Sequence, residues 1–436
     1  MKNQRRTDNV LSLDPMYSTL HARIADEYQG KKFAILSSFG LKHYLPGFES
    51  YYIERQLQSK DIIISQTDLD VVKSMDSHFS ALARKVEKRE LTSDELEYMA
   101  KFYVFLKQFV VNNDIKVVLL HNDLRWQHSI AVFVCRELSI NYLVTEQGLF
   151  RPHTTVVDSF GVNAYSNVKN DYQEFLDKGE DLNRYITNDI VTSSHDSWYS
   201  YINFFRYLIF SKVGKFLGTE ARIVHKRHTL SEYVKRFYFH RINPLLSKKT
   251  PSDGDVLFGN TKELIFVPLQ LELDTQLLIH SDFSSNQEVI NIIETAFNDA
   301  GLRNKYELVF KKHPNDQLEY NFSSFSKLTN VAITTELLKN VSLVLSVNSS
   351  ALLQVLSTPT PVITLGRSIY DVPGVAFHSN GKDLVSDIKN QLSTIVDIDR
   401  RYHYVDYLKY VYSIQGAGNS FSKSQIEKII NKLTRN

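Results

Sequence analysis

Residues 116–148, KVVLLHNDLRWQHSIAVFVCRELSINYLVTEQG, decide the reading of the fold. Lys116–His121 is a short apolar, β-branched run of the buried-strand type. Trp126–Leu138 carries apolar residues at helical spacing, and Asn141–Thr145 returns to a strand pattern. Strand, helix and strand in immediate succession form a β–α–β unit, which predicts a parallel sheet with helices on its faces. On the N-terminal side, Phe33–Ser38 and Asp61–Gln66 read as further strands. Val71–Glu90 and Asp94–Val111 read as helices, the second with Tyr98, Phe102, Phe105 and Phe109 on its apolar positions.

The same alternation returns further on. Leu264–Pro268, Glu307–Lys311, Val331–Thr334, Leu343–Val347 and Pro361–Leu365 read as strands, with helices predicted over Asn286–Ala300, Ala351–Ser357 and Lys382–Ser393. Arg400–Tyr412 and Ser422–Lys432 read as terminal helices. Between the two blocks, Ser197–Lys249 has almost no strand signal. It mixes aromatics (Tyr199, Phe204, Phe205, Tyr207, Phe210, Phe216, Tyr233, Phe237, Tyr238, Phe239) with bases, and 201–250 holds 11 Lys and Arg against two acids, Glu220 and Glu232. Thr250–Gly259 reads as a linker. The simplest architecture is α/β: two Rossmann-like, doubly wound domains joined by a helical segment. The expected units are 1–195, a basic aromatic connector 196–255, a second α/β domain 256–395, and C-terminal helices 396–436 that pack back across the domains.

Bulk properties agree with a chain of two or three domains. The 436 residues are 43% hydrophobic and 23% charged, which excludes wholesale disorder and fibrous classes. The net charge of +2 argues against a chain-wide nucleic-acid footprint. One cysteine, Cys135, allows neither an internal disulfide nor a Cys-rich zinc site, which fits a reducing cytosol. No run approaches the roughly 20 apolar residues of a membrane span, and Met1–Asp14 lacks the apolar core of a signal peptide.

Ligands of open parallel sheets bind beyond the carboxyl ends of the strands, so chemistry is expected there. Glu146-Gln147-Gly148 follows Asn141–Thr145 and sets a carboxylate at a strand end, placed for acid, base or nucleophile work. Asp123, after Lys116–His121, is expected chiefly as a helix N-cap. In the second block Asn348-Ser349-Ser350 opens a predicted helix, where free N–H groups suit an anion as well as an ordinary cap. His313-Pro314 follows Glu307–Lys311, with proline holding the backbone extended so that the imidazole meets a phosphate or carboxylate. Gln270, Asp274 and Gln276 suit a hydroxyl-rich ligand. In Gly366–Gly374, Arg367 suits an anion and Tyr370 stacking on a base, although read by itself the stretch is a loop with an exposed arginine.

His121–Ser129, Glu146–Asn163 (EQGLFRPHTTVVDSFGVN), Phe266–Gln276 (FVPLQLELDTQ), Lys312–Pro314 and Val347–Gly374 occur in an order that resembles capsular-polysaccharide biosynthesis proteins of the KpsS/LipB type. The run SVNSSALLQVLSTPTPVITLGRSIYDVPGV is the most specific part. The resemblance spans roughly 120–375. It implies a GT-B-like glycosyltransferase, two Rossmann-like domains facing a cleft, that moves β-Kdo (3-deoxy-manno-octulosonic acid) from CMP-Kdo to a lysophosphatidylglycerol-type lipid and so starts the capsule linker.

On that resemblance His313, Pro314, Asn348, Ser349, Ser350, Gln270, Asp274, Gln276, Arg367 and Tyr370 would hold the nucleotide-sugar, with His313 stabilising the leaving phosphate. Retention by two displacements needs a carboxylate nucleophile. Glu146 is the first choice and Asp123 and Asp158 are fallbacks, because longer relatives carry Glu-Asp-Gly where this chain has Glu146-Gln147-Gly148. The proton acceptor is one of His121, His128 or His153. No metal or other cofactor is expected: the DLD at 68–70 lies at a helix start and the DID at 397–399 between helices. Implied partners are CMP-Kdo, the lysolipid, other capsule-assembly proteins and, through Ser197–Lys249, the inner face of the cytoplasmic membrane; no nucleic acid is implied. Two alternatives remain: a capsule-elongating transferase using another CMP-linked sugar acid, and a non-catalytic accessory for capsule glycolipid export.

Overall fold

The computed structural model describes residues 6–58, 61–186, 196–224 and 262–433, with backbone alone over 196–201. The part of the basic aromatic segment from 225 to 249, the linker 250–259 and the expected domain edges at 195 and 255 lie outside the described residues.

Two sheets organise the chain. The first has the order β13-β6-β5-β4-β1-β2-β3, built from β1 (Asn9–Leu13), β2 (Lys32–Leu36), β3 (Glu49–Tyr52), β4 (Ile115–His121), β5 (Asn141–Gln147), β6 (Thr154–Asp158) and β13 (Ser413–Gln415). Strands β3 to β5 pair in parallel, whereas β6 and β13 close the edge antiparallel. The second, entirely parallel sheet has the order β12-β11-β10-β7-β8-β9. Its strands are β7 (Glu263–Pro268), β8 (Tyr306–Lys311), β9 (Ser326–Thr329), β10 (Val341–Ser346), β11 (Val362–Thr364) and β12 (Phe377–His378). In each sheet the winding starts at a central strand and reverses beside it, at β1/β4 and at β7/β10. Both lobes are therefore doubly wound, with a crevice at each reversal.

Fully buried runs make the central strands: Val117–Leu120 and Leu264–Val267 are at most 3% exposed. Each such side chain contributes about 1.5–3 kcal/mol by leaving water. The helix Ser93–Asn112 starts in a Thr92/Glu95 capping box and packs Tyr98 and Phe102 against Trp126, ring centroids 5.6 and 5.1 Å apart. The lobes touch directly. His78 Nε2 bonds the Leu273 carbonyl (2.9 Å), and Lys85 Nζ donates to the carbonyls of Ser281 and Phe283 (2.9 and 2.8 Å). Tyr165 meets His280 edge-on at 5.0 Å. After the helix Ile398–Asp406, whose Arg401 is buried against the Val375, Thr358 and Thr360 carbonyls, the chain crosses to the first sheet as β13. It ends there in the helix Lys423–Leu433.

One central strand goes unread in the sequence, and three expectations fail for identifiable reasons. Met1–Asp14 contains β1, the central strand of the first sheet, hidden because NVLSL is short and mixed. Asp61–Gln66 is no strand: Ile63 is 83% exposed, and Ser65 instead forms a capping box with Asp68 that starts the helix Gln66–Ser74. The helix expected over Val71–Glu90 breaks at Met75, and Ser77 caps a new one at His78–Ala81. Val331–Thr334 is loop; the strand beside β8 is Ser326–Thr329.

Candidate active site

At the carboxyl edge of the first sheet, Glu146 stands in the last turn of β5, one strand from His121 at the end of β4. Its Oε2 accepts from Asn122 Nδ2 at 2.7 Å and its Oε1 from the Gln147 N–H at 2.9 Å. The side chain is 23% exposed, so one face of the held carboxylate is open. His121 Nε2 lies 4.0 Å from Glu146 Oε1.

Hydrogen bonding assigns the tautomer of that histidine. Thr145 Oγ1 donates to the Leu120 carbonyl (3.1 Å), its only pure acceptor, so it must accept from His121 Nδ1 (3.1 Å) and His21 Nε2 (3.3 Å). His21 Nδ1 then accepts from Ser12 Oγ at 2.8 Å. His121 is left with Nδ1–H directed inward and a bare Nε2 beside Glu146. Burial first, then Arg125 and His128, hold its pKa well below the ordinary histidine range; burial takes His21 down to about 3. Both rings are neutral at neutral pH.

Asp14, at the carboxyl end of β1, completes this edge. It is 2% exposed and accepts from Ser37 N (2.8 Å) and from Gln127 Nε2 (2.9 Å). Asp123 is not the expected N-cap: Arg125 occupies that position. Asp123 Oδ2 accepts from Val162 N at 3.0 Å, and Oδ1 is buried without a partner. Burial, reinforced by Glu146 and Asp158, pushes its pKa up to about 7. Asp158 is committed to structure, accepting from the N–H groups of Phe160 and Gly161 and from Tyr412 Oη. His128 donates Nδ1–H to the His121 and Asn122 carbonyls and is fully buried, and His153 is exposed in the β5–β6 loop.

The second lobe presents its own carboxyl edge. Gln270, after β7, donates to Asn348 Oδ1 after β10 at 2.8 Å, spanning the β7/β10 reversal. Asn348 Nδ2 in turn holds the Gln276 and Arg367 carbonyls. Asp274 caps the short helix Thr275–Leu278 and faces His313 electrostatically. His313 Nδ1 accepts from Asn315 N at 3.1 Å, so the neutral ring carries its proton on Nε2 as a donor. Burial, with Lys311 and Arg151, lowers its pKa. Ser349 is buried and accepts from Ala351 N; Ser350 and Pro314 are exposed.

Three second-lobe expectations change. The helix after Ser350 is only Leu352–Val355, too short for a strong dipole. Tyr370 is 2% exposed, so its ring packs in the core and offers no face to a base. The Arg367 guanidinium is occupied by Asp282 (2.8 Å) and the Ile279 carbonyl (2.6 Å), beside a cavity of about 240 Å³.

The structure thus gathers Glu146, Asp123 and His121 on one lobe and Gln270, Asp274, Gln276, His313 and Asn348 on the other. Arg151, in the loop after Glu146, adds a pKa-lowering field at both His313 and Tyr370. Sequence reading missed Ser12, Asp14, His21, Thr145 and Arg151. Recognition of β1 would have exposed Asp14 as a strand-end carboxylate; no local signal marks the others.

Comparison with known proteins gives the context. The family model described as capsule polysaccharide biosynthesis protein matches residues 116–412. The chain is 24% identical over 300 residues to the capsule polysaccharide modification protein LipB of Neisseria meningitidis serogroup A, covering 63% of this chain and 69% of that protein. It is 23% identical over 292 residues to the capsule polysaccharide export protein KpsS of Escherichia coli, covering 61% and 71%. Among solved structures, the KpsC β-Kdo 2,7 transferase of Thermosulfurimonas dismutans aligns over 81% of this chain and 95% of its own, with a TM-score of 0.37 and 13% identity. The family model covers both β-reversals except for β1, and with it the Glu146 and His313 edges: the chain belongs to the capsule polysaccharide biosynthesis protein family.

Proposed function

We propose that the protein is a retaining glycosyltransferase that moves β-Kdo from CMP-Kdo to a lysophosphatidylglycerol-type lipid, beginning the capsule linker. The observation that carries this is the held carboxylate: Glu146, clamped by Asn122 and still 23% exposed, at the carboxyl edge of the first sheet.

In the first displacement a Glu146 oxygen forms a bond to the anomeric carbon while the bond to the CMP phosphate breaks. His313 Nε2–H and Arg151 meet the charge that develops on the departing phosphate. Gln270, Asp274, Gln276, Asn348 and Ser349 shape the nucleotide-sugar crevice. In the second displacement the acceptor hydroxyl attacks the same carbon and its proton passes to the bare Nε2 of His121. The Glu146 carboxylate is released, and two inversions give net retention. The carboxylates of Asp123 and Asp158 are buried, which leaves Glu146 as the open nucleophile of the three. The reading draws on no metal. Its lipid acceptor sets the reaction at the inner face of the cytoplasmic membrane, alongside other capsule-assembly proteins. Among the described residues no helix is long and apolar enough to cross a membrane.

The test is incubation with CMP-Kdo and lysophosphatidylglycerol followed by mass spectrometry. The expected product gains one Kdo and is absent with Glu146→Gln. Several added residues would point to the elongating reading. No transfer by folded wild-type protein from CMP-Kdo or any other CMP-linked sugar acid would overturn the enzymatic reading in favour of the export accessory.

A further inference from the structure

The helix Asp196–Phe216 has two faces of opposite character. Asn203, Tyr207 and Gly214 are buried against the first lobe, where Tyr17 packs edge-on to Phe204 and Tyr207 with ring centroids 5.0 Å away in both cases. On the other side Ile202, Phe205, Ile209, Val213 and Phe216 are 54, 55, 61, 41 and 92% exposed. At about 100° per residue these five fall within one sector, opposite the buried one. The stripe runs for roughly 21 Å at 1.5 Å per residue. By the same rotation the exposed side chains of Arg206 and Lys212 flank it on either side, with Lys215 beyond Lys212. Isolated exposed apolar residues are ordinary; a continuous stripe bordered by bases is the pattern of a surface that enters a lipid interface.

We propose that this outer face docks on an anionic bilayer. The apolar stripe would sit among the acyl chains while Arg206 and Lys212, whose stems reach along apolar surface, keep their charges at the phosphates. Charge complementarity selects this occupant. Residues 202–224 carry four bases, Arg206, Lys212, Lys215 and Arg222, against one acid, Glu220, and each base near an anionic leaflet adds to binding. The position of the helix gives docking a purpose. It packs on the turn Phe39–Tyr44 that follows β2, and Ser211 Oγ meets Ser38 Oγ at 2.7 Å. It therefore borders the same carboxyl edge as Glu146, three strands along, roughly 14 Å at the usual strand spacing. A docked bilayer would present a lipid headgroup to that edge. The inference depends on the proposed function only in taking the acceptor as a lipid.

The experiment is cosedimentation of the full chain with vesicles of phosphatidylethanolamine and phosphatidylglycerol, and with vesicles of phosphatidylcholine alone. Wild type is expected to bind the anionic vesicles preferentially, and less at high salt. The triple variant Phe205→Ser, Ile209→Ser, Phe216→Ser should bind at least about tenfold more weakly, with its melting temperature kept. Arg206→Glu with Lys212→Glu should lose the anionic preference. Four results would overturn the proposal. The first is wild type staying in the supernatant, and the second is the triple variant binding as wild type does. A fall in melting temperature would mean that the stripe is covered by the chain's own residues 225–261. A halved solution mass would mean that it joins two copies. In an activity arm, the triple variant should lose turnover of vesicle-borne lysolipid and keep turnover of a monomeric short-chain acceptor. Vesicle binding without any wild-type transfer would sink the transferase reading and leave the docking surface standing.

Discussion

Asn122 both turns the chain and holds Glu146. Its φ of +62° lies in the left-handed region, its Oδ1 accepts from Leu124 N at 2.9 Å, and its Nδ2 donates to Glu146 Oε2 at 2.7 Å. Asparagine tolerates that backbone conformation better than most residues, so one side chain serves the turn out of β4 and the orientation of the carboxylate on β5.

Replacing Asn122 with glycine separates the two duties, because glycine keeps the positive φ and removes the clamp. Asn122→Gly is expected to lower kcat about 10–100-fold, the worth of a hydrogen bond to a charged group, with little change in donor KM. Steady-state kinetics with CMP-Kdo, alongside a melting curve close to wild type, checks this.

Thr145 is a positioning residue for His121. Thr145→Val keeps the shape and removes the oxygen that fixes Nδ1–H inward, so the ring can present either tautomer to Glu146. We expect a fall in kcat of about tenfold or more with KM for the acceptor unchanged. In wild type the lowered pKa keeps His121 unprotonated as pH falls below about 6.5, so kcat should hold its plateau below that value. A pH–rate profile of both proteins tests the role, since loss of packing alone would not move the acid limb.

Asp123 is buried with one unpartnered oxygen and a pKa near 7. A carboxyl raised above its unfolded value of about 3.8 adds stability while protonated and loses it as pH rises through the folded value. Asp123→Asn keeps an acceptor for Val162 N without that ionisation. The variant should therefore be more stable than wild type at pH 8, by an amount on the order of a few kcal/mol that shrinks towards pH 5. Urea unfolding at the two pH values measures it.

His280 has the opposite sign. Both ring nitrogens are buried without partners against Tyr165, and burial lowers the pKa to about 4. Its contribution to stability is present above the unfolded value of about 6.5 and is lost as pH falls towards 4, because the unfolded chain takes up the proton first. His280→Phe keeps the ring contact and removes the titration. Relative to wild type the variant should gain about 2 kcal/mol between pH 7 and pH 5, read from unfolding at both.

Much of the fold was legible in local pattern. The runs at β4, β5, β7, β8, β10 and β11 are apolar and bounded by helical spacing, so both parallel sheets and the strand-end position of Glu146 and His313 follow from them. Two misses came from local caps at Ser65 and Ser77, and the others from features whose partners are distant. β1 is five residues of mixed type, made a central strand by ladders to β2 and to β4, which lies about a hundred residues on. Tyr370 and Arg367 sit in a Gly- and Pro-bearing stretch that reads as an exposed loop, and burial and Asp282 claim them instead.

The alternation of strands and helices through β4, β5, β7, β8, β10 and β11, the doubly wound class and the placing of chemistry at the carboxyl edges were determined by the amino-acid sequence alone, because hydrophobic periodicity is a local property that short-range sterics convert directly into elements. Which carboxylate stays open, which histidine nitrogen is bare and which cations are already paired were decided only by the tertiary structure. Those outcomes depend on burial and on hydrogen bonds between residues such as His21 and Thr145, which are 124 positions apart and meet only after the sheet has formed.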